Sequence, residues 1–267
     1  MEPAVFDKYR KLVYEKSGIA LAPGKEALVS ARVAKRMRAL NLDDHRAYLR
    51  LLNDDSSGQE LVQLLDAIST NVTSFYREPL HFEMLSQLAA QHLADGGRKF
   101  RVWCAAASTG EEPYTIAMTL LETFGPHLTD VRLLATDIST RALARAMEGV
   151  YAEERVQPIP KALLSRYFEK RGTQDNYEYV ASQRLKNLIL FRRLNLATPP
   201  FPMRGPLDVV FCRNVMIYFD NQVRSRLLNE IFRLLKPGGH LFVGHAESLT
   251  GMVSPFKLVR PSVYIKA

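Results

Sequence analysis

The stretch that decides the fold is residues 101–114, RVWCAAASTGEEPY. Arg101–Cys104 alternates polar and apolar residues and includes a β-branched and an aromatic side chain, which is typical of a short strand. The small residues that follow, up to Gly110, allow a sharp turn and a close approach to the backbone. Pro113 suits the first turn of a helix, which continues through the apolar residues 116–121. This order indicates a doubly wound nucleotide-binding sheet, although small residues after a strand also occur in ordinary turns.

The predicted helix starts with two carboxylates, Glu111 and Glu112. Negative charge is favourable at a helix N-terminus, but it would repel a pyrophosphate, so a ligand with cationic groups fits this loop better. A second apolar run, residues 131–135, ends at Thr136 and Asp137. The Asp137 carboxylate could bind a ribose, as acids after the second strand do in nucleotide folds, or it could cap the next helix.

The composition limits the classes of protein that this chain can belong to. It has 267 residues, 47% of them hydrophobic, enough for one large domain or two modest ones. We find neither the roughly 20 consecutive apolar residues of a membrane span nor an N-terminal signal core, so we expect a soluble, cytoplasmic protein without membrane insertion. Cys104 and Cys212 are too few for a zinc cluster, and we predict no metal site. The net charge of +8 favours an acidic partner: nucleic acid, membrane surface or acidic protein.

Helical periodicity predicts four helices, at residues 6–17, 25–40, 43–52 and 59–68. Residues 1–68 are therefore predicted to form a small all-helical domain. In the second helix a buried stripe recurs at helical spacing, and it consists of Val29, Val33, Met37 and Leu40. Four cations lie on the remaining surface: Arg32, Lys35, Arg36 and Arg38. Such a run is usually a solvated face, but it is also a candidate contact for an acidic partner.

Residues 69–78 connect this domain to the next one, residues 79–267. The connection is rich in hydroxyl and amide groups, but it also contains Phe75 and Tyr76, which a plain linker would not carry. Its polar side chains therefore look like hydrogen-bond donors held in a folded segment; they are Asn71, Thr73 and Arg77.

The strand–helix alternation breaks after the helix that follows Asp137. Residues 177–180 and 185–191 look like two strands of a hairpin, so we predict an antiparallel insertion at about 152–187. Its cations form a second candidate docking surface: Arg166, Lys170, Arg171, Arg184 and Lys186.

Later segments complete the sheet pattern. Residues 207–212 and 240–244 predict two buried strands, and residues 256–259 and 263–266 predict a closing antiparallel hairpin. A final antiparallel pair beside parallel strands is more typical of a methyltransferase sheet than of a dehydrogenase sheet.

Five motifs, taken in order, carry a family resemblance: STNVTSFYREPLHF, RVWCAAASTGEEPYTIAM, ATDIS, CRNVMIYFD and LKPGGHLFVGHAES. Together they resemble the chemotaxis receptor protein-glutamate O-methyltransferases. The resemblance implies an α/β fold: a Rossmann-type S-adenosylmethionine-dependent methyltransferase sheet with a small all-α N-terminal domain and an inserted antiparallel β-subdomain. It also implies methyl transfer from S-adenosylmethionine to glutamates on the cytoplasmic helices of chemoreceptors, with S-adenosylhomocysteine as product.

The resemblance assigns site residues by position. Cofactor contacts are implied for Asn71, Thr73, Arg77, Glu112, Asp137, Asn195, Leu196, Arg213 and Asn214. A part in methyl transfer is implied for Arg77 and Tyr218. Contact with the receptor's methylation region is implied for Arg32, Lys35, Arg36 and Arg38. In some members the inserted subdomain binds a pentapeptide at the receptor's C-terminus, but here the hairpin tip, residues 172–180, lacks the second glycine of that form, which argues against a pentapeptide tether.

The chemistry is consistent with the residue types. A glutamate is already ionised near neutral pH, so it can accept a methyl group without a general base. Tyr218 could bind the substrate oxygen or the methyl cation, or it could be a packed aromatic between strand and helix. Two other functions stay open: a nucleic-acid methyltransferase that uses the basic surfaces, and an adaptor that senses the cofactor without turnover. The strand end Asn-Val-Met-Ile-Tyr argues against the first, because amine methylation of bases often uses an Asn/Asp-Pro-Pro-aromatic motif.

Overall fold

Four helices form the first part of the chain in the computed structural model, which describes residues 1–127, 130–173, 176–249, 251–252 and 254–267. They are α1 (Pro3–Ser17), α2 (Glu26–Ala39), α3 (His45–Asp54) and α4 (Gln59–Ile68). Helix α1 begins with a proline, whose fixed φ suits a first helical turn, and ends at Gly18, which has φ 71°. The Asp44 carboxylate caps α3 by accepting hydrogen bonds from the amides of Arg46 and Ala47. The four predicted helices are confirmed, with small shifts at their ends.

The buried faces of these helices pack into one core. Tyr9, Val33 and Tyr48 are fully buried there. The predicted stripe of α2 is buried as far as Met37, and Leu40 lies just beyond the helix, where it is half-buried. Helical spacing of apolar residues is therefore enough to orient α2 against its neighbours.

The remaining elements follow residue 79. The strands are β1 (Lys99–Cys104), β2 (Asp130–Asp137), β3 (Val150–Ala152), β4 (Phe168–Thr173), β5 (Asn176–Ala181), β6 (Ile189–Arg193), β7 (Leu207–Cys212), β8 (Leu235–Val243), β9 (Lys257–Arg260) and β10 (Val263–Ile265). The helices are α5 (Leu80–Ala94), α6 (Glu111–Phe124), α7 (Thr140–Glu148), α8 (Glu153–Val156), α9 (Lys161–Tyr167), α10 (Gln183–Lys186) and α11 (Asn221–Leu234). Between α4 and α5 the chain forms neither helix nor strand. The domain bounds 1–68, 69–78 and 79–267 stay a prediction.

Within the part of the chain that the structure describes, seven strands form the large sheet in the order β6-β2-β1-β7-β8-β10-β9. Strand β1 pairs in parallel with β2 on one side and with β7 on the other. The order reverses at β1, and such a switch point leaves a crevice at the carboxyl ends of the strands. Strand β10 pairs antiparallel with β8 and β9, which confirms the predicted closing hairpin.

The predicted hairpin of residues 177–180 and 185–191 is wrong. Strand β5 pairs with β3 and β4 in a separate sheet, and β6 joins the large sheet beside β2. The first residues of the predicted second strand form α10, because Leu185, Leu188 and Ile189 are three and four positions apart, which is helical spacing. Strand β4 was missed because it is exposed beyond Phe168, so it shows no apolar alternation. Residues 174–175, in the predicted hairpin tip, lie outside the described residues.

No helix among the described residues is long and apolar enough to cross a membrane.

Candidate functional site

A cavity of about 390 Å³ lies at the carboxyl edge of the sheet. The loops after β1, β2, β6 and β7 form one wall, and the segment from α1 to α2 and the linker before α5 form the other. All ten residues predicted for cofactor binding or methyl transfer line it: Asn71, Thr73, Arg77, Glu112, Asp137, Asn195, Leu196, Arg213, Asn214 and Tyr218. Sequence positions spread over almost 150 residues thus converge on one site. We refer to it as the central cavity.

The loop after β1 is fixed to the end of β2. The Ala107 amide donates to the Thr136 carbonyl at 2.8 Å. Gly110 has φ 102°, and a Cβ there would lie 2.5 Å from the Tyr151 hydroxyl, so this position requires glycine. The Ser108 hydroxyl lines the cavity, and its oxygen is buried without a hydrogen-bond partner among the described residues. A buried hydroxyl without a partner is unfavourable, which suits a ligand that supplies one.

Asp137 lies at the end of β2, beside this loop. Its carboxylate accepts hydrogen bonds from the amides of Ser108, at 2.8 Å, and Ser139, at 2.9 Å. Burial raises the pKa of the Asp137 carboxyl, against the lowering effect of these backbone amides. The N-cap of α7 is Ser139, whose side chain accepts from the Ala142 amide. Ser139 is therefore the cap residue of α7, and Asp137 supports it by accepting a hydrogen bond from its amide.

A buried ion network forms the floor of the central cavity. The Arg213 side chain is fully buried and forms ion pairs with Glu112, at 2.7 Å, and with Glu78, at 3.1 Å. The Cys104 thiol donates to the other oxygen of Glu112 at 3.2 Å. Two carboxylates therefore share one guanidinium, and the ionised network has a net charge of −1. It is complementary to a cationic ligand.

Burial and Arg213 act in opposite directions on these carboxyl groups. Burial dominates at Glu112 and raises its pKa. Burial also opposes ionisation of Glu78, but Arg213 and a hydrogen bond from the His245 amide hold the pKa of Glu78 below its usual value. Burial raises the pKa of the Cys104 thiol well above its usual value, so this cysteine is a buried donor and not a nucleophile.

Glu78, His81 and His245 can each offer one ligand atom, and these atoms lie within 4.8 Å of one another. Burial lowers the pKa of His81 to about 4, so its ring is neutral at neutral pH. The Glu78 carboxylate already binds Arg213, however, and this fixed cation next to the group opposes a metal ion. Glu78 is therefore better explained as a partner of Arg213 than as a metal ligand.

Arg77 and Tyr218 line the central cavity and keep hydrogen-bonding capacity that no described residue uses. The Arg77 guanidinium donates to the Val72 carbonyl at 3.2 Å, and no described carboxylate forms an ion pair with it. Tyr218 ends a 3₁₀ helix, and its hydroxyl forms no hydrogen bond with any described residue. The Tyr218 carbonyl accepts from the Ala20 amide at 2.8 Å, which fixes its backbone. A cation and a hydroxyl are therefore available for an anionic group.

Glu247 holds the loop after β7 and was missed by sequence reasoning. Its carboxylate accepts from the amides of Asn214, Ile217 and Gly244. It thereby stabilises Asn214 in a left-handed conformation with φ 56°. The last quoted motif, LKPGGHLFVGHAES, contains Glu247, but a structural role for a buried acid is not visible in a motif.

The predicted contact residues in the loop after β6 are partly engaged by the helical part. The Asn195 amide donates to the Lys16 carbonyl at 2.8 Å, and its oxygen accepts from the Ala197 amide at 3.0 Å. Leu196 is buried at the cavity wall. In this arrangement Asn195 joins the two walls, while Leu196 supplies apolar surface.

The structure divides the four cations of α2 into three groups. Arg32 lines the cavity and hydrogen-bonds the Thr70 hydroxyl at 3.3 Å. Arg36 forms two hydrogen bonds with Glu60, at 2.7 and 2.5 Å, so it belongs to the helical core. Lys35 and Arg38 are exposed.

Family models and individual relatives both show the family of this chain. The family model described as "CheR methyltransferase, SAM binding domain", where SAM is S-adenosylmethionine, matches residues 71–265, and "CheR methyltransferase, all-alpha domain" matches residues 4–69. The chemotaxis protein methyltransferase of Escherichia coli is 39% identical over 99% of this chain and 91% of its own. Chemotaxis protein methyltransferase 2 of Pseudomonas aeruginosa is 40% identical over 98% of this chain and 92% of its own. The chain therefore belongs to the CheR methyltransferase family of S-adenosylmethionine-dependent enzymes.

Proposed function

We propose that this protein transfers a methyl group from S-adenosylmethionine to glutamate side chains on the cytoplasmic domain of a chemoreceptor, forming methyl esters in chemotactic adaptation. The observation that carries the proposal is the convergence of Asp137, Arg77 and Tyr218 on one cavity above an acidic network. The protein would act in the cytoplasm, where receptor arrays expose their helices.

The residues of the central cavity fit the cofactor. When bound, S-adenosylmethionine supplies a methyl group on a sulfonium. Asp137 would accept hydrogen bonds from the ribose hydroxyls, and the Ser108 hydroxyl would gain a partner. The net negative charge of the Glu78–Arg213–Glu112 network would favour the cationic end. Asn71, Thr73, Asn195, Leu196 and Asn214 would complete the contacts.

Arg77 and Tyr218 would hold the acceptor. Burying a glutamate carboxylate alone is costly, and the Arg77 guanidinium would compensate its charge and orient it. The Tyr218 hydroxyl would hydrogen-bond the same carboxylate or its ring would contact the methyl cation. An ionised carboxylate needs no proton removed before the displacement, so these residues align the two reactants without acting as acid or base.

Receptor docking would use the exposed cations of α2. Lys35 and Arg38 are free to meet an acidic helix, and Arg32 lies at the cavity itself. Arg36 would act through Glu60 by keeping α2 in place. A pentapeptide tether on the small sheet is not part of this proposal, because its hairpin lacks the second glycine.

The linkage formed on the acceptor tests the proposed function. Incubation with methyl-labelled S-adenosylmethionine and a receptor cytoplasmic fragment is expected to give label that mild alkali releases as methanol, because carboxyl methyl esters hydrolyse easily. The measurement is the volatile label from the isolated fragment, with a fragment whose methyl-accepting glutamates are replaced by alanine as control. Alkali-stable label, or label on added RNA or DNA only, would refute the proposal and favour the nucleic-acid alternative.

Asp137→Ala is expected to weaken cofactor binding about 100-fold. Hydrogen bonds to a charged group contribute about 1.5–3 kcal/mol each, and a ribose offers two hydroxyls. Titration calorimetry with S-adenosylhomocysteine measures the change, and Glu148→Ala at the other end of α7 is the control, because Glu148 does not line the central cavity. An unchanged affinity of Asp137→Ala for S-adenosylhomocysteine would contradict the proposal that Asp137 binds the ribose.

A further inference from the structure

A second cavity of about 650 Å³ lies directly beside the central cavity. We call it the α7 groove. It is lined by α7, the linker residues 69–72 and the region around β3. Arg32 and the same linker residues line both cavities, so the groove leads into the site where the methyl group is transferred.

One face of α7 forms the floor of the groove. Arg141, Arg145 and Glu148 are spaced four and three residues apart, which places them on the same helix face. The opposite face packs inward through Leu143 and Ala146. All three charged side chains line the groove.

The charges of the groove are ordered along its length. Arg32 and Arg141 lie at the end next to the central cavity, since Arg32 contacts Thr70 and Arg141 donates to the Asp66 carbonyl at 3.1 Å. Glu148 and Glu178 lie at the other end, where Glu178 is paired with β3. The groove is thus basic near the site of methyl transfer and acidic away from it.

Two further charged residues of the groove, Arg155 and Glu111, neutralise each other. Arg155 forms an ion pair with Glu111, which is fully buried. Arg145 is different, because its side chain is exposed and its guanidinium forms no ion pair with any described residue. It lies one helical turn beyond Arg141, so two cations face the groove on successive turns of α7.

An apolar side chain stands between the two cavities. Val72 lines both cavities, and 78% of its surface is exposed. Such an exposed β-branched residue at the junction of two cavities is suited to contact the apolar part of a bound helix.

We propose that the α7 groove binds the receptor helix that carries the methylated glutamate. The helix crosses Val72, its methyl-accepting glutamate enters the central cavity, and acidic residues one to two turns away pair with Arg145 and Arg141. This inference rests on the proposed function and adds a second contact surface, beside the exposed cations of α2, and the direction of docking. The acidic end of the groove then favours basic or neutral receptor residues further along the helix.

Arg145→Glu tests the groove. With a receptor cytoplasmic fragment and labelled S-adenosylmethionine, we expect the KM for the fragment to rise at least about tenfold, because a like charge replaces an ion pair. The kcat at saturating fragment and the Kd for S-adenosylhomocysteine should stay near wild type. Arg145→Lys should retain most of the affinity, and an acidic-to-lysine change on the receptor helix should rescue Arg145→Glu.

Arg50→Glu is the matched control. Arg50 is exposed on α3 and lines neither cavity, and the substitution changes the net charge by the same amount. An equal rise in KM for both variants would mean general charge attraction and would overturn the groove. An unchanged KM in Arg145→Glu would also overturn the docking proposal. Binding of a structured RNA to the groove, with no change in the KM for the receptor fragment, would overturn it as well.

The two proposals fail separately. If the wild-type protein places no alkali-labile label on the fragment, the proposed function is refuted. If it labels the fragment normally and Arg145→Glu leaves the KM unchanged, only the groove is refuted.

Discussion

Arg213→Met is expected to lower the free energy of unfolding by about 3–5 kcal/mol, because removal of one partner leaves buried charge without compensation. The Arg213 guanidinium is fully buried and is the shared partner of Glu78 and Glu112. Both carboxyl groups would then have to take up protons or draw in water. Since these residues form the floor of the central cavity, affinity for S-adenosylhomocysteine should fall in the same variant.

Chemical unfolding of the wild type and the variant measures the loss. Arg226→Met is the control, because it removes an exposed arginine from α11 and should change stability by less than about 0.5 kcal/mol. Adding Glu78→Gln and Glu112→Gln to Arg213→Met should recover part of the stability. Wild-type stability in the single variant would mean that water or a neighbouring group replaces the guanidinium, and the network would lose its structural role.

Arg77→Ala is expected to reduce methyl transfer about 100-fold or more, which is the cost of losing the alignment of two reactants. Stability should change little, since the side chain is half-buried and donates only to the Val72 carbonyl. Single-turnover labelling of a receptor fragment at saturating cofactor measures the effect on the transfer step alone.

Arg77→Lys separates charge from geometry. It keeps the positive charge but loses the planar pair of donors, so its rate should lie between those of wild type and Arg77→Ala. If Arg77→Ala labels the fragment at the wild-type rate, Arg77 does not position the acceptor. A defect confined to cofactor affinity would place it with the cofactor contacts instead.

The sheet could be predicted because its signals are local. A buried strand such as residues 207–212 is a continuous apolar run, and the small-residue loop before Glu111 follows a strand directly. The prediction of short strands failed where this signal was missing. Strand β4 is exposed and charged. The apolar residues that follow Leu185 are spaced in a way that fits both a helix and a strand.

The motifs identified residues that line one cavity, but they did not show the contacts among these residues, and the roles assigned to them stay a prediction. Family motifs identified Glu112 and Arg213 as separate cofactor contacts, whereas in the structure each is the other's ion-pair partner across a separation of 101 residues. Likewise Arg36 resembled the other cations of α2, but it binds Glu60 in the helical core. Nothing in a run of basic residues shows which of them has an acidic partner elsewhere in the chain.

The joint between the helical part and the sheet has a consequence for resistance to proteolysis. Tyr14 hydrogen-bonds Asp220, Ile19 forms a β-bridge with Phe219, and Asn195 binds the Lys16 carbonyl. A ligand enclosed between these two bodies is released when either one detaches. Its binding therefore lowers the population of the detached state, and this effect increases with the ligand concentration. Excess S-adenosylhomocysteine should therefore slow backbone amide exchange in α1 and cleavage near residues 19–25, segments that lie far along the chain from the strands that would hold the nucleoside.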